Sequence, residues 1–412
     1  MSSAERGGIS RRRFVTGAAG IAAGTGLVAG AAGCAPAAIP APRYVPFEGA
    51  NQTGITALPI PARGLSAAFS VQSPDRARLT AMFQALSDET RAVMSGEPPR
   101  TRNAAYPPTD SGILGAEPPA DDLSVVVAVG ASLFDARFGL ADRKPRELVE
   151  MPFLANDRLK PEQSHGDLLL TIEANHADTV QFALRQLMRS TRGDLVLKWI
   201  VEGYGRGAGS GAAGGTPRNL LGFKDGTQNL HMDDEELMRA LVWVGPDDGE
   251  PAWAVGGSYQ VMKIIRMFVE FWDRTPLAEQ ESIFGRTKLS GAPLGMDDEF
   301  DVPDYADDPD GTTIALDAHI RLANPRTPQT EENRILRRGF SYTRGFDGAG
   351  RLDQGLAFIS YQRSLSKGFL TVQERIAGER LEEYVQGQGG GFFFALPGVQ
   401  GPDRFLGDML VS

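Results

Sequence analysis

Three side chains in the second half of the sequence have the chemistry to bind a metal and to move a proton. Asp225 lies in the segment GFKDGT, His319 in AHIRLANPR and Arg337 in ILRR. An imidazole can ligate iron, a carboxylate can take up and return a proton, and a guanidinium can stabilise developing negative charge. The three residue types together indicate a redox or acid–base site.

The segment around Asp225 also has a simpler interpretation. An Asp-Gly pair favours the backbone conformations of tight turns, so Asp225-Gly226 taken alone predicts a turn on the surface. The functional interpretation depends on the other two segments occurring in the same chain.

All three segments resemble those of the dye-decolourising peroxidases, and the subgroup they most resemble is the exported deferrochelatase/peroxidase proteins of bacterial iron-uptake systems. The six residues 222–227 match that family's motif throughout, and Arg337 follows His319 at the family's spacing. The resemblance implies an α+β fold of two ferredoxin-like domains, each an antiparallel sheet with peripheral helices. It also implies one haem b per chain, held mainly by the C-terminal domain.

The resemblance implies a role for each of the three side chains. His319 is expected to be the axial ligand of the haem iron, with a partner on its other ring nitrogen that the sequence does not identify. Asp225 is expected to take a proton from hydrogen peroxide and return it to the departing oxygen, and Arg337 to hold the peroxide and stabilise its charge. Because an aspartate moves the proton, activity is expected to peak at acidic pH.

Further haem contacts are implied for residues near these three. Their side chains or backbone would meet the edge of the haem or its two propionates. The set comprises Gly226, Thr227, Gln228, Arg286, Arg321, Asn324, Pro325 and Arg326, together with Arg337 itself. For Arg321, a surface salt bridge is an equally good interpretation.

The remaining possible iron ligands are few. Cys34 is the only cysteine and lies in the N-terminal segment, which excludes an intramolecular disulfide and a thiolate-ligated haem in the mature domains. The other histidines are His165, His176 and His231, and lone histidines more often have structural roles. His231, shortly after Asp225, is the one serious competitor of His319.

The first residues predict export. Residues 10–15, SRRRFV, resemble a twin-arginine signal and precede an apolar Gly/Ala-rich stretch, 17–33. An amino-terminal membrane anchor is the alternative, which the many glycines and alanines disfavour. Cleavage after Ala37 is expected, in the small-residue site Ala-Pro-Ala, whereas acylation at Cys34 of a degenerate lipobox is the alternative. The product would be periplasmic, extracellular or attached to the cell envelope.

Composition and hydrophobic patterns indicate how the chain is divided into parts. The expected parts are a signal peptide at 1–37, an extended leader at 38–54, a first domain at 55–204, a glycine-rich linker at 205–217 and a second domain at 218–412. The formal net charge of −10 argues against a nucleic-acid partner. No sequence repeat relates the two halves, so their duplication rests on the resemblance.

Hydrophobic patterns predict the main elements of both halves. The predicted strands are 123–129, 168–174, 196–202, 257–270, 338–343 and 355–363, and the predicted helices are 76–94, 177–190, 276–285 and 365–386. The acidic segment 296–311 is expected to be a solvated loop. A calcium site is the alternative, which is disfavoured because the spacing of the acidic residues does not fit an EF-hand.

The leading functional prediction is therefore a haem peroxidase that reduces hydrogen peroxide and oxidises organic donors such as dyes, phenolics and porphyrinogens. A deferrochelatase that releases iron from haem with the porphyrin intact is one alternative, and a non-catalytic haem-binding component is another. An iron-uptake permease complex and a homo-oligomer are the expected assemblies.

Overall fold

The computed structural model of the protein describes residues 41–100, 103–206 and 215–412. The predicted signal peptide, the first residues of the leader and the middle of the glycine-rich linker lie outside the described residues. Of the leader, residues 41–54 run along the first half of the fold, where Val45 and Phe47 are buried in its core.

The described residues form one antiparallel sheet. Its strands are β1 (Arg63–Val71), β2 (Ser124–Gly130), β3 (Leu168–Ala174), β4 (Leu195–Tyr204), β5 (Ser258–Met267), β6 (Leu336–Arg337), β7 (Phe340–Phe346), β8 (Leu352–Gln362) and β9 (Val385–Ala395).

The helices are shorter in the second half than in the first. They are α1 (Arg76–Ser95), α2 (Ala177–Ser190), α3 (Glu235–Leu241), α4 (Val269–Trp272), α5 (Leu277–Phe284), α6 (His319–Ala323), α7 (Thr371–Arg375) and α8 (Asp408–Val411).

The strand order shows two ferredoxin-like halves. In the first half the order is β4-β1-β3-β2, and in the second it is β9-β5-β8-β7. In both halves the fourth strand is therefore followed across the sheet by the first, the third and the second. Edge strands of the two halves pair with one another, β2 with β9 and β4 with β7. The sheet therefore closes on itself, and this closure leaves few exposed strand edges.

Strands β6 and β7 are two pieces of one strand beside β8. Leu336 and Arg337 pair with Tyr361 and Ser360, and Phe340 pairs with Ala357 further along β8. Leu336 is fully buried, and Arg338 at the break is almost fully buried, with its guanidinium on Glu173 of β3. These contacts fix the backbone on both sides of Arg337.

The predictions for the first half hold closely. α2 and β3 have the predicted bounds, and α1 extends one residue beyond its predicted end. β1 has no counterpart among the predicted strands, because its small residues RGLSAAFSV lack the run of β-branched side chains that marks a strand.

The helix predicted at 365–386 is wrong. A π-helical turn at Ser366–Leu370 and the short α7 are followed by a 3₁₀ turn at Arg380–Glu383 and then by β9. The sequence of β9, VQGQGGGFFFA, is rich in glycine, which normally disfavours strands. Here glycine is needed, because Gly390 has φ of 108° and a Cβ at that position would collide with the carbonyl of Met262 in β5.

Candidate functional site

A cavity of about 330 Å³ opens in the second half of the fold. Strands β5 and β8 provide an apolar wall with Ile265 and Phe358, and α5 and α6 add Phe284 and Ile320. Of the site residues predicted from sequence, the cavity wall contains Asp225, Gly226, Thr227, Gln228, Arg286, His319, Asn324, Arg326 and Arg337. Residues more than 100 positions apart in the sequence thus meet in one place.

His319 is the first residue of α6, where it faces the cavity. Its Nδ1 lies 2.8 and 3.0 Å from the two carboxylate oxygens of Glu379, whose side chain is 4% exposed. Burial alone would lower the pKa of His319, but the charge and hydrogen bond of Glu379 outweigh it and raise the pKa. Because Nδ1 donates to the carboxylate, Nε2 is the nitrogen left for a metal.

Asp225 and Arg337 form the second part of the site. Arg337 Nη1 lies 2.5 Å from Asp225 Oδ1, and the two side chains are 34% and 24% exposed. Asp225 lies between two turns, 219–222 and 226–229, and not within one as its sequence predicts, and Gly222 and Gly226 have φ of 86° and 134°. The Asp225 carboxylate lies in the cavity wall instead.

The acidic segment contacts residues on both sides of Asp225. The Glu299 carboxylate contacts Lys224 Nζ and accepts a hydrogen bond of 2.9 Å from Thr227 Oγ1. Burial would raise the pKa of Glu299, but these hydrogen bonds together lower it. The side chain of Thr227 is therefore occupied by Glu299.

Two arginines of the cavity wall, Arg286 and Arg326, form no salt bridge with a carboxylate of the described residues. Arg286 is 5% exposed and donates to the carbonyls of Gly291 and Glu299, at 2.5 and 2.9 Å. Burial and then the nearby charge of Arg326 lower the pKa of Arg286. The buried Nε of Arg326 has no hydrogen-bond partner among the described residues. Two cations this close favour an anionic ligand.

Arg375 of α7 is a further cation that the sequence did not point to. Its Nη1 donates to Asn333 Oδ1 at 2.8 Å and its Nη2 to the carbonyl of Ala323 at 3.1 Å. Its Nε is buried and, within the described ranges, unpartnered, and burial lowers the pKa of the group. A carboxylate entering the cavity would satisfy this donor.

Two residues of the predicted set lie elsewhere. Arg321 donates to Asp308 Oδ2 at 3.3 Å and to the carbonyls of Asp308 and Ile314, at 2.8 and 2.9 Å. Arg321 and Pro325 are both outside the cavity lining. In the structure Arg321 therefore makes a salt bridge, because its guanidinium pairs with Asp308 of the acidic segment.

The acidic segment 296–311 is ordered by its own backbone. The Asp308 carboxylate accepts hydrogen bonds from the N–H groups of Thr312 and Ile314, and the bond from Ile314 is the main cause of a pKa lowered to about 2. Across the described residues, no cluster of three or more His, Cys, Asp or Glu side chains could hold a metal ion.

The other three histidines are outside the cavity lining. His231 and His176 are exposed, and a hydrogen bond of 2.7 Å to Asp121 raises the pKa of His176. His165 is half-buried with a pKa lowered by burial, and its carbonyl accepts from Trp199. Among the four, His319 is the one in the cavity wall.

The residues present fit a haem. The cavity combines an apolar wall for a flat macrocycle, an imidazole with a free Nε2, and arginine donors at Arg326 and Arg375 for two propionates. A haem needs these three kinds of contact. No helix in the described part of the chain is long and apolar enough to cross a membrane.

Comparisons with known proteins agree with this chemistry. The family model for the N-terminal domain of Dyp-type peroxidases matches residues 52–205, and the model for the C-terminal domain matches residues 216–400. Deferrochelatase from Escherichia coli strain K12 is 50% identical over 368 residues, which cover 89% of this chain and 87% of that protein. Deferrochelatase from Shigella flexneri is 50% identical over 369 residues, with the same coverage of both chains.

Solved structures give the same result. The oxyferrous complex of DtpA from Streptomyces lividans is 31% identical, with a TM-score of 0.80 over 90% of this chain and 98% of that chain. A DyP-type peroxidase from Cellulomonas bogoriensis is 31% identical, with a TM-score of 0.79 and the same coverage. The chain therefore belongs to the Dyp-type peroxidase family and is a haem peroxidase.

Proposed function

We propose that His319 Nε2 ligates the iron of haem b in the cavity and that Asp225 and Arg337 act on hydrogen peroxide. The observation that carries this proposal is the convergence of His319, Asp225 and Arg337 on one cavity, with Glu379 on His319 Nδ1. An anionic partner on the far nitrogen orients a metal-ligating histidine and increases its basicity.

The propionates are assigned to the arginine cluster. Arg326 and Arg375 each have a buried, unpartnered Nε among the described residues, and Arg286 adds a third positive charge. Charge-assisted hydrogen bonds of this kind fix both the position and the orientation of a carboxylate.

When bound, haem supplies the two electrons that reduce hydrogen peroxide to water and regains them, one at a time, from organic donors. Asp225 takes the proton from one peroxide oxygen and delivers it to the other, so that water leaves. Arg337, which already contacts Asp225, holds the peroxide and stabilises the negative charge on the departing oxygen. Because both side chains are partly exposed, peroxide can reach them.

Stopped-flow mixing of the haem-loaded protein with hydrogen peroxide tests these roles. Arg337→Leu removes a preorganised cation and should slow the peroxide reaction by about 10²–10³. Asp225→Asn keeps the shape but cannot accept the proton, and should slow the same reaction by about 10²–10⁴. If water partly replaces Asp225 in this open cavity, Arg337→Leu is the more impaired variant. Wild-type rates in both variants would instead support the non-catalytic haem-binding alternative.

Deferrochelatase activity is the second candidate, and the 50% identity to proteins named deferrochelatase favours it. In that reaction, protons replace iron in the haem and the porphyrin stays intact. Incubating the purified protein with haem, and measuring free protoporphyrin in parallel with peroxide-dependent donor oxidation, separates the two activities. Protoporphyrin without donor oxidation would make iron release the main role.

Export by the twin-arginine pathway is proposed from the SRRRFV segment. Arg11→Lys with Arg12→Lys should leave precursor in the cytoplasm, because the receptor recognises the arginine pair. Normal export of that variant would contradict the assignment. Mass spectrometry of the mature terminus distinguishes cleavage after Ala37 from acylation at Cys34.

The expected assemblies are also proposals. The resemblance to iron-uptake proteins supports a permease complex, which co-purification from the native membrane would detect. Light scattering of the purified protein would measure whether it forms a homo-oligomer.

A further inference from the structure

Asn229 connects the turn that follows Asp225 to the strand of Arg337. Its side-chain amide makes two hydrogen bonds with the backbone of one residue: Oδ1 accepts from Arg337 N at 2.9 Å, and Nδ2 donates to Arg337 O at 2.8 Å. Its own backbone N–H donates to the carbonyl of Gly226 at 2.9 Å. One residue therefore bridges both parts of the peroxide site.

The bridge replaces a missing strand. In an antiparallel pair, a residue whose N–H and C=O face away from one neighbour needs a second neighbour to pair with. Arg338 N bonds Ile359 of β8, whereas the N–H and C=O of Arg337 are bonded by Asn229. The Asn229 amide carries the same donor and acceptor as a peptide group, so it substitutes for the next strand.

Water could satisfy the same two backbone groups, because Asn229 and Arg337 are both partly exposed. The pairing with β8 holds Arg337, but a water pair would not connect it to the segment of Asp225, which could then shift against it. Asn229, at the end of the turn that follows Asp225, makes that connection. The 2.5 Å contact between Arg337 and Asp225 requires this control, since hydrogen bonds weaken steeply as their geometry departs from the optimum.

We propose that Asn229 is a positioning residue for the peroxide reaction, which sets Arg337 against Asp225 through the backbone. The inference rests on the proposed roles of Asp225 and Arg337. Asn229 itself takes and gives no proton. Its effect is on the placement of Asp225, which moves the proton, and of Arg337, which stabilises the charge, and displacements of about 1 Å in such groups can cost about 10²-fold in rate.

The test compares Asn229→Ala with Asn175→Ala in the haem-loaded protein. Asn175 is a matched control. It is partly buried in the N-terminal half of the fold, where its Nδ2 donates to Asp122 Oδ2 at 2.8 Å. Asn229→Ala should slow the reaction with hydrogen peroxide by about 10- to 100-fold at unchanged haem content. It should also accelerate hydrogen exchange of the Arg337 amide at least about tenfold, because that N–H loses its acceptor. Asn175→Ala should change neither quantity.

The same experiment in the Arg337→Leu background distinguishes a failure of the proposed function from a failure of the inference on Asn229. If Asn229 acts through Arg337, adding Asn229→Ala to Arg337→Leu should slow the reaction by less than about twofold further. A wild-type rate in Arg337→Leu alone would refute the proposed function. A slow Arg337→Leu with a wild-type rate in Asn229→Ala, or a full further loss in the double variant, would refute the inference on Asn229.

A second variant covers the case in which Asn229→Ala does not fold. Asn229→Asp keeps the shape and an oxygen for Arg337 N but cannot donate to Arg337 O. We expect a protected Arg337 amide together with a slower peroxide reaction. A wild-type rate in this variant would overturn the proposal.

Discussion

Replacing Glu379 by glutamine should weaken haem binding without disturbing the fold. In the unaltered protein, His319 Nδ1 lies 2.8 Å from the nearer carboxylate oxygen of Glu379. The substitution keeps the shape of the side chain and one acceptor for Nδ1, and it removes the negative charge. A metal-bound His319 is neutral, so the buried carboxylate, whose side chain is 4% exposed, acts by polarising the Nδ1–H bond, which makes Nε2 a stronger ligand.

The net effect should be close to that of other partners of metal-bound histidines, about 10- to 100-fold in affinity, or about 1.4–2.7 kcal/mol. Titration of the apoprotein with haem, followed by visible absorption, measures the dissociation constant. Glu383→Gln is the matched control, because Glu383 is exposed in the 3₁₀ turn that directly follows Glu379. Equal dissociation constants for Glu379→Gln, Glu383→Gln and the unaltered protein would refute the argument that Glu379 supports an iron ligand.

Two further predictions concern the cavity wall and the acidic segment. Arg375→Ala should weaken haem binding by about tenfold or more in the same titration, because a charge-assisted hydrogen bond is typically worth about 1.5–3 kcal/mol; unchanged binding would remove Arg375 from the propionate contacts. Asp308→Asn should lower the melting temperature at pH 7. The pKa of Asp308 in the folded protein is about 2, below its unfolded value of about 3.9, so the stabilisation is present above pH 4 and lost as the pH falls through about 2. Calorimetry should show the difference narrowing over that interval, and a constant difference would contradict the assigned cause.

The sequence predicts best where one local pattern decides the structure. The apolar periodicity of α2 and the aliphatic run of β3 each fix an element almost alone, and both have the predicted bounds. Strand β9 was missed because its glycines carry no strand signal. Those glycines are explained by the close approach of β5, which is a tertiary contact.

The same distinction applies to the site. His319, Asp225 and Arg337 lie in recognisable short segments, so the sequence identifies them. Glu379 lies 60 residues from its partner His319, and Arg375 lies 42 residues from its partner Asn333. Nothing local marks either residue, because their roles arise only when α6 and α7 fold against each other.

The central claim is that His319 holds the haem in this cavity, and haem content after purification tests it most directly. His319→Ala removes Nε2 from the cavity wall and should yield folded protein with little haem. His231→Ala changes an exposed residue outside the cavity and should keep the normal haem absorption. Circular dichroism of both variants verifies folding. Haem retained by His319→Ala and lost from His231→Ala would contradict the account.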